Sequence, residues 1–151
     1  MVTVQDSVRI DAPRGEVFEY VSDPTHQVEI TPAITDISVL KRLPNGGHRS
    51  EFVYDMVGVD LTGESEQVVF EPPERLVCDL TGTIDAQLTW EFAAVDSGDR
   101  TRVTYTAEYD LPSAVLERAV RPIVERYNER ILSTTLNTLK RRVEAMADAT
   151  A

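Results

Sequence analysis

The last quarter of the chain, residues 112–147, constrains the fold more than any other stretch. As one helix it would span roughly 50 Å at 1.5 Å per residue. Leu116, Val120, Ile123, Tyr127, Ile131, Leu132, Leu136, Leu139, Val143 and Met146 recur at helical spacing. Glu117, Arg118, Arg126, Glu129, Arg130, Lys140 and Arg141 flank that stripe. An amphipathic helix of this kind is not stable alone in water, so another layer must cover its apolar side. Pro122 lies inside the helical stretch, has no N–H to donate and clashes with the preceding turn, so a kink or break is expected there.

The covering layer is legible upstream. Val2, Val4, Val8 and Ile10 alternate with Thr3, Gln5, Ser7 and Arg9, the pattern of a strand with one wet face, although Asp6 falls on its apolar phase. Ala12-Pro13 ends that strand. Glu16–Ser22 reads as a short helix broken by Asp23-Pro24, and Asp23 suits the cap of a second short helix through Glu29. From Asp36 onwards there are six strand-like segments. Ile37 and Val39 belong to one. Pro44-Asn45-Gly46-Gly47 is a strong hairpin turn. Ser50, Phe52, Tyr54 and Met56 then share one phase, and Leu61–Glu71 alternates poorly, with Gly63 marking a bulge or a close backbone approach. Leu76, Cys78, Leu80, Gly82 and Ile84 share a phase, as do Leu88, Trp90 and Phe92, and then Val103, Tyr105, Ala107, Tyr109 and Leu111. Clean alternation indicates an antiparallel sheet with one solvated face. The expected class is therefore α+β: a seven-stranded curved antiparallel sheet wrapped around a long C-terminal helix, with two short helices between strands 1 and 2. Residues 1–151 make one domain, a length sufficient for a core without covalent staples.

Order and motifs together resemble the helix-grip fold of the START/Bet v 1-like (SRPBCC) superfamily, and within it the polyketide cyclase/dehydrase and lipid-transport group. The stretches that carry the likeness are Ile10-Asp11-Ala12-Pro13 with Glu16–Val21 and Asp23-Pro24, then Glu71–Leu76, Thr101–Tyr105, Tyr109–Pro112 and Leu139–Glu144. One departure comes after Asp23-Pro24. Many relatives carry a tryptophan there, and this chain has His26, Val28 and Ile30. The resemblance implies a cavity between sheet and helix. Phe52, Tyr54, Leu80, Leu88, Trp90, Tyr105, Tyr109, Tyr127 and Ile131 are the candidate lining, apolar and aromatic without charge, around a space on the order of 300 Å³ or more.

Chemistry beyond binding is thinly represented. His26 and His48 fall in a helix–loop region and at a turn, where surface placement is expected. No metal-ligand spacing, nucleophile motif or phosphate loop appears, and no cofactor is implied. Cys78, the sole cysteine, has the inward phase of an inert thiol and excludes an intrachain disulfide. If the chain is an enzyme, Tyr54, Tyr105 and Tyr109 are the groups that would polarise a carbonyl, with a cyclase- or dehydratase-type reaction implied. The leading reading is a binder or carrier of a hydrophobic small molecule such as a lipid, isoprenoid, quinone or polyketide-like compound. Such an enzyme is the second reading, and an interaction module with a vestigial cavity the third.

Net charge is −11, and only Lys41 and Lys140 are lysines. That balance argues against nucleic acid, whose phosphates require a basic patch. The N-terminus lacks a basic region followed by an apolar run, so no signal peptide is expected, and no segment approaches the roughly 18 consecutive apolar residues of a membrane span, so a cytoplasmic location is expected. A surface rich in acid and poor in lysine resembles proteins of salt-loving organisms, the alternative being an ordinary acidic protein. At about 1 M salt the Debye length falls to roughly 3 Å and self-repulsion is screened. A salt-adapted chain should therefore melt markedly higher in about 1 M than in about 0.1 M KCl. A melting temperature indifferent to KCl would assign the ordinary acidic surface.

Overall fold

A computed structural model describes residues 1–150. Seven strands form one antiparallel sheet: β1 (Val2–Ile10), β2 (Ile34–Arg42), β3 (His48–Met56), β4 (Val59–Glu71), β5 (Arg75–Gly82), β6 (Ala86–Val95) and β7 (Arg100–Tyr109). Their order is β1-β7-β6-β5-β4-β3-β2, so every neighbour except β1–β7 is a hairpin partner. Between β1 and β2 lie α1 (Arg14–Ser22), a single 3₁₀ turn (Pro24–His26) and α2 (Gln27–Ile30). Asp23 caps this second unit by accepting from the Thr25 N–H at 3.0 Å. The chain ends in α3 (Ser113–Leu116) and α4 (Arg121–Thr150), the latter lying across the concave face.

The sheet bends where the sequence allows it to. Gly63 of β4 faces Gly82 of β5. A Cβ at Gly63 would overlap the Thr81 carbonyl oxygen, and one at Gly82 would stand 2.5 Å from that of Thr62, so only glycine permits this approach. The approach anticipated at Gly63 is therefore made by the neighbouring strand. Further along β4 the register with β5 shifts between Gln67 and Val69. A bulge leaves one residue unpaired and reverses the facing of the residues beyond it. Gln67 is thus buried, Val68 points outward, and Phe70 turns under to meet the edge of the Phe18 ring at 5.3 Å. This explains the poor alternation of Leu61–Glu71.

Residues 113–146 do not form one helix. Pro122 cannot donate to the carbonyl four residues earlier, so no ladder can run through it. In the first turn of a helix that donor is not needed, and the chain restarts there: Pro122 is the second residue of α4. Restarting resets the phase. Val115 and Val124 are fully buried, whereas Leu116, Val120 and Ile123 are 44%, 62% and 56% exposed, so these three leave the stripe. Beyond the break the stripe holds: Leu132, Leu136, Leu139 and Val143 are buried, and Met146 near its end is half exposed.

Polar contacts fix α4 to both arms of the sheet. Ser133 donates to Asp6 Oδ2 on β1 at 2.9 Å, which occupies the acid on the apolar phase in a solvent-exposed pairing. Glu144 Oε2 accepts the Asp11 N–H at 2.8 Å. On the other arm, Tyr127 donates its hydroxyl to the Asp55 carbonyl at 2.7 Å. The reset phase makes a direct contrast. Leu139→Ala removes fully buried methyls and should cost about 2–5 kcal/mol in denaturant unfolding. Ile123→Ala should stay within about 0.5 kcal/mol. Equal losses would mean that one continuous stripe faces the sheet.

Candidate functional site: a cavity between the sheet and the last helix

Between the concave face and α4 lies a cavity of about 130 Å³. It is smaller than the sequence suggests, because large side chains occupy the middle of the gap. Trp90 and Tyr105, directly opposite each other on β6 and β7, stack with centroids 3.8 Å apart and planes 11° from parallel. A volume on the order of 150 Å³ holds a benzene-sized molecule.

Strand alternation decides what faces this space. Phe52, Tyr54, Leu80, Leu88, Trp90, Tyr105, Tyr109 and Ile131 all line it. Tyr127 does not: its hydroxyl is committed to the Asp55 carbonyl beside the cavity, one turn of helix away from Ile131. Cys78 also lines the wall, and burial pushes its thiol up to about 12, so it stays protonated. Among the described residues no Asp, Glu, Lys or Arg side chain borders the space. Among the described residues no three His, Cys, Asp or Glu side chains are placed to hold a metal ion.

The lining is less uniformly apolar than the sequence suggests. Asn128 of α4 is buried and bridges two tyrosines: the Tyr54 hydroxyl donates to Asn128 Oδ1 at 3.0 Å, and Asn128 Nδ2 donates to the Tyr109 hydroxyl at 2.9 Å. Whichever way the amide is turned, one phenolic hydrogen remains unused, because the bridge consumes only one of the two. A second polar group gathers under β3–β5. Gln67 donates to the Ser22 carbonyl at 2.9 Å and accepts the His48 N–H at 2.8 Å, with His48 Nδ1 a further 3.1 Å contact. His48 is half-buried and borders both the cavity and an outer groove beside Val39 and Arg42. His26 is half-buried too, stacked on Tyr20 at 4.1 Å. Thr135 donates to the Ile131 carbonyl at 2.7 Å and meets Thr31 at 3.2 Å. Sequence periodicity hid Asn128, since a helical asparagine ordinarily faces water. Ser50 carried a signal, being a serine on the same phase as Phe52, Tyr54 and Met56.

Burial raises the pKa of these phenols and so weakens them as acids. Tyr54 and Tyr105 rise well above the ordinary tyrosine value through desolvation, with neighbouring tyrosines and Cys78 adding to the effect respectively. Tyr109 rises too, again by desolvation, partly offset by its bond to Asn128. At neutral pH the site thus offers hydrogen-bond donors and acids but no phenolate base.

Fold and cavity together define a helix-grip protein with an internal, uncharged ligand-sized space. Residues 1–144 match the family model described as polyketide cyclase / dehydrase and lipid transport, and the chain belongs to that family. Solved structures agree in fold. A protein of Thermus thermophilus is 22% identical with a TM-score of 0.81, over 96% of this chain and 99% of that one. The Zhui aromatase/cyclase of a Streptomyces species superposes with a TM-score of 0.78 at 17% identity, over 95% and 93% of the two chains. A START superfamily protein of Mycobacterium smegmatis gives 0.74 at 19%, over 95% and 98%. No curated protein matches the chain by sequence. No helix among the described residues is long and apolar enough to cross a membrane.

The raised phenol values set an alkaline limit. All five tyrosines are raised in the folded protein, so it binds more protons than the unfolded chain above about pH 10. Their contribution to stability is complete below that pH and is lost as pH climbs towards the folded values. Near-ultraviolet titration should show little phenolate at about pH 10 and then a cooperative rise that coincides with unfolding. Noncooperative ionisation of three or more tyrosines in folded protein at about pH 10 would contradict the burial described.

Proposed function

We propose that the chain binds and carries a small hydrophobic molecule in the space between the sheet and α4. The observation that supports this reading is a wall made mainly of aromatic and aliphatic side chains, with no carboxylate, lysine or arginine on it among the described residues. Apolar contents gain roughly 25 cal/mol for each Å² removed from water, and nothing on the wall penalises them. The tyrosine hydroxyls and Asn128 add orientation rather than drive. Phe52, Tyr54, Leu80, Leu88, Trp90, Tyr105, Tyr109 and Ile131 are the proposed contact residues, and Tyr127 steadies α4 beside them.

A cyclase- or dehydratase-type enzyme is the second reading. The unused phenolic hydrogen of the Tyr54–Asn128–Tyr109 bridge favours it, since that hydrogen can polarise a carbonyl. The carrier reading leads because no nucleophile with a lowered pKa borders the same space, the Cys78 thiol being pushed up by burial.

Two variants test this. Ala107→Leu places added methyls in the cavity and should abolish the thermal shift given by single-ring aromatic compounds while the protein still folds. Retained shifts would place binding elsewhere. Tyr109→Phe should change affinity by no more than about 0.5–1.5 kcal/mol in a carrier. In an enzyme it would instead cut turnover by roughly 10²–10⁴-fold with binding intact.

A further inference from the structure

The Ser50 side chain lines the cavity, is 1% exposed, and its hydroxyl makes no hydrogen bond with any protein group. Among the described residues it is the one buried side-chain oxygen or nitrogen in that condition. Its polar neighbours are occupied. Ser65, opposite it on β4, pairs with the Cys78 thiol. Gln67 is spent on Ser22 and His48. Thr135 is spent on its own helix. A buried hydroxyl is ordinarily paired, and an exception calls for a reason. Backbone neighbours do not supply one; the side chain borders the cavity with its oxygen just behind the wall, where a ligand reaches it only as neighbouring side chains shift.

Resting on the binding role proposed above, we propose that Ser50 is a recognition group for a neutral, oxygen-bearing ligand, whose carbonyl or hydroxyl oxygen meets its Oγ while the apolar body packs on the aromatic wall. The oxygen is uncharged for a physical reason: among the described residues no lysine or arginine borders the space and its one imidazole, His48, is engaged by Gln67, so a carboxylate or phosphate would be buried without a committed counter-charge. The cavity volume of about 130 Å³ holds a single ring, and a short substituent is admitted as the wall side chains shift. The inferred class is therefore an aromatic or cyclic ketone, quinone or phenol, not an ionised fatty acid.

Acetophenone and α-methylstyrene test the assignment. They have nearly the same shape, and the second replaces the carbonyl oxygen by a methylene. Binding of each to the intact chain can be followed by fluorescence of Trp90, the sole tryptophan and part of the wall. Ser50→Ala should weaken acetophenone relative to α-methylstyrene by about 2–12-fold, the worth of one net hydrogen bond. Without ligand the same variant should melt no lower than the wild type, because the hydroxyl it removes has no protein partner. Benzoate should bind more weakly than acetophenone. An unchanged ratio with both compounds bound would overturn the role of Ser50 and leave the carrier reading standing. A destabilised unliganded variant would show that the hydroxyl serves the fold, and benzoate binding as tightly as acetophenone would overturn the neutral class. If neither compound binds the wild-type protein, the inference and the carrier reading fail together.

Discussion

A thirty-residue amphipathic helix cannot keep its apolar side in water, and the architecture follows from covering it. One flat sheet would do this poorly. The sheet instead bends at the Gly63–Gly82 contact and at the β4 bulge, so that its arms reach both flanks of α4. Polar pins then hold the helix in place: Asp6 and Asp11 on one side, Asp55 and Tyr54 on the other. A helix supported along its flanks need not collapse fully onto the middle of the sheet. The space that remains is the cavity, so fold and candidate site have one physical origin.

That origin also explains the chemistry on the wall. Side chains in the middle must face inward by strand alternation, which makes them apolar, and the aromatic pair Trp90–Tyr105 takes most of the room. The few polar groups that enter must be paired, and nearly all are, through the Asn128 bridge and the Gln67 cluster. The phenols are neutral at physiological pH, and desolvation extends that neutrality to higher pH. A neutral, aromatic, sparsely polar space is suited to selecting contents by shape and by one or two hydrogen bonds. It is poorly suited to holding ions.

Strand phases were the most legible feature of the sequence, because period-two alternation is imposed locally by the backbone. Phe52, Leu80, Trp90 and Tyr105 could be assigned to the inner face from it alone. Legibility failed where a single residue reset the phase. The bulge at Val68 reversed Gln67 against Phe70. Pro122 forced α4 to restart, which turned Ile123 outward and Val124 inward. Asn128 and His48 were missed for another reason. Their inward placement depends on partners far away in the chain, Tyr54 and Tyr109 for one and Gln67 for the other, and local pattern carries no trace of such pairs. The cavity volume was overestimated because ring stacking across β6 and β7 is a property of register, not of composition.

The central claim is that an apolar molecule enters between sheet and helix, and its location can be read by magnetic resonance. With toluene as a single-ring probe, intermolecular nuclear Overhauser effects should reach the methyl groups of Leu80, Leu88, Ile131 and Leu132, all on the cavity wall. Effects confined to the exposed methyls of Leu116, Val120 and Ile123, or no bound probe at all, would contradict the account.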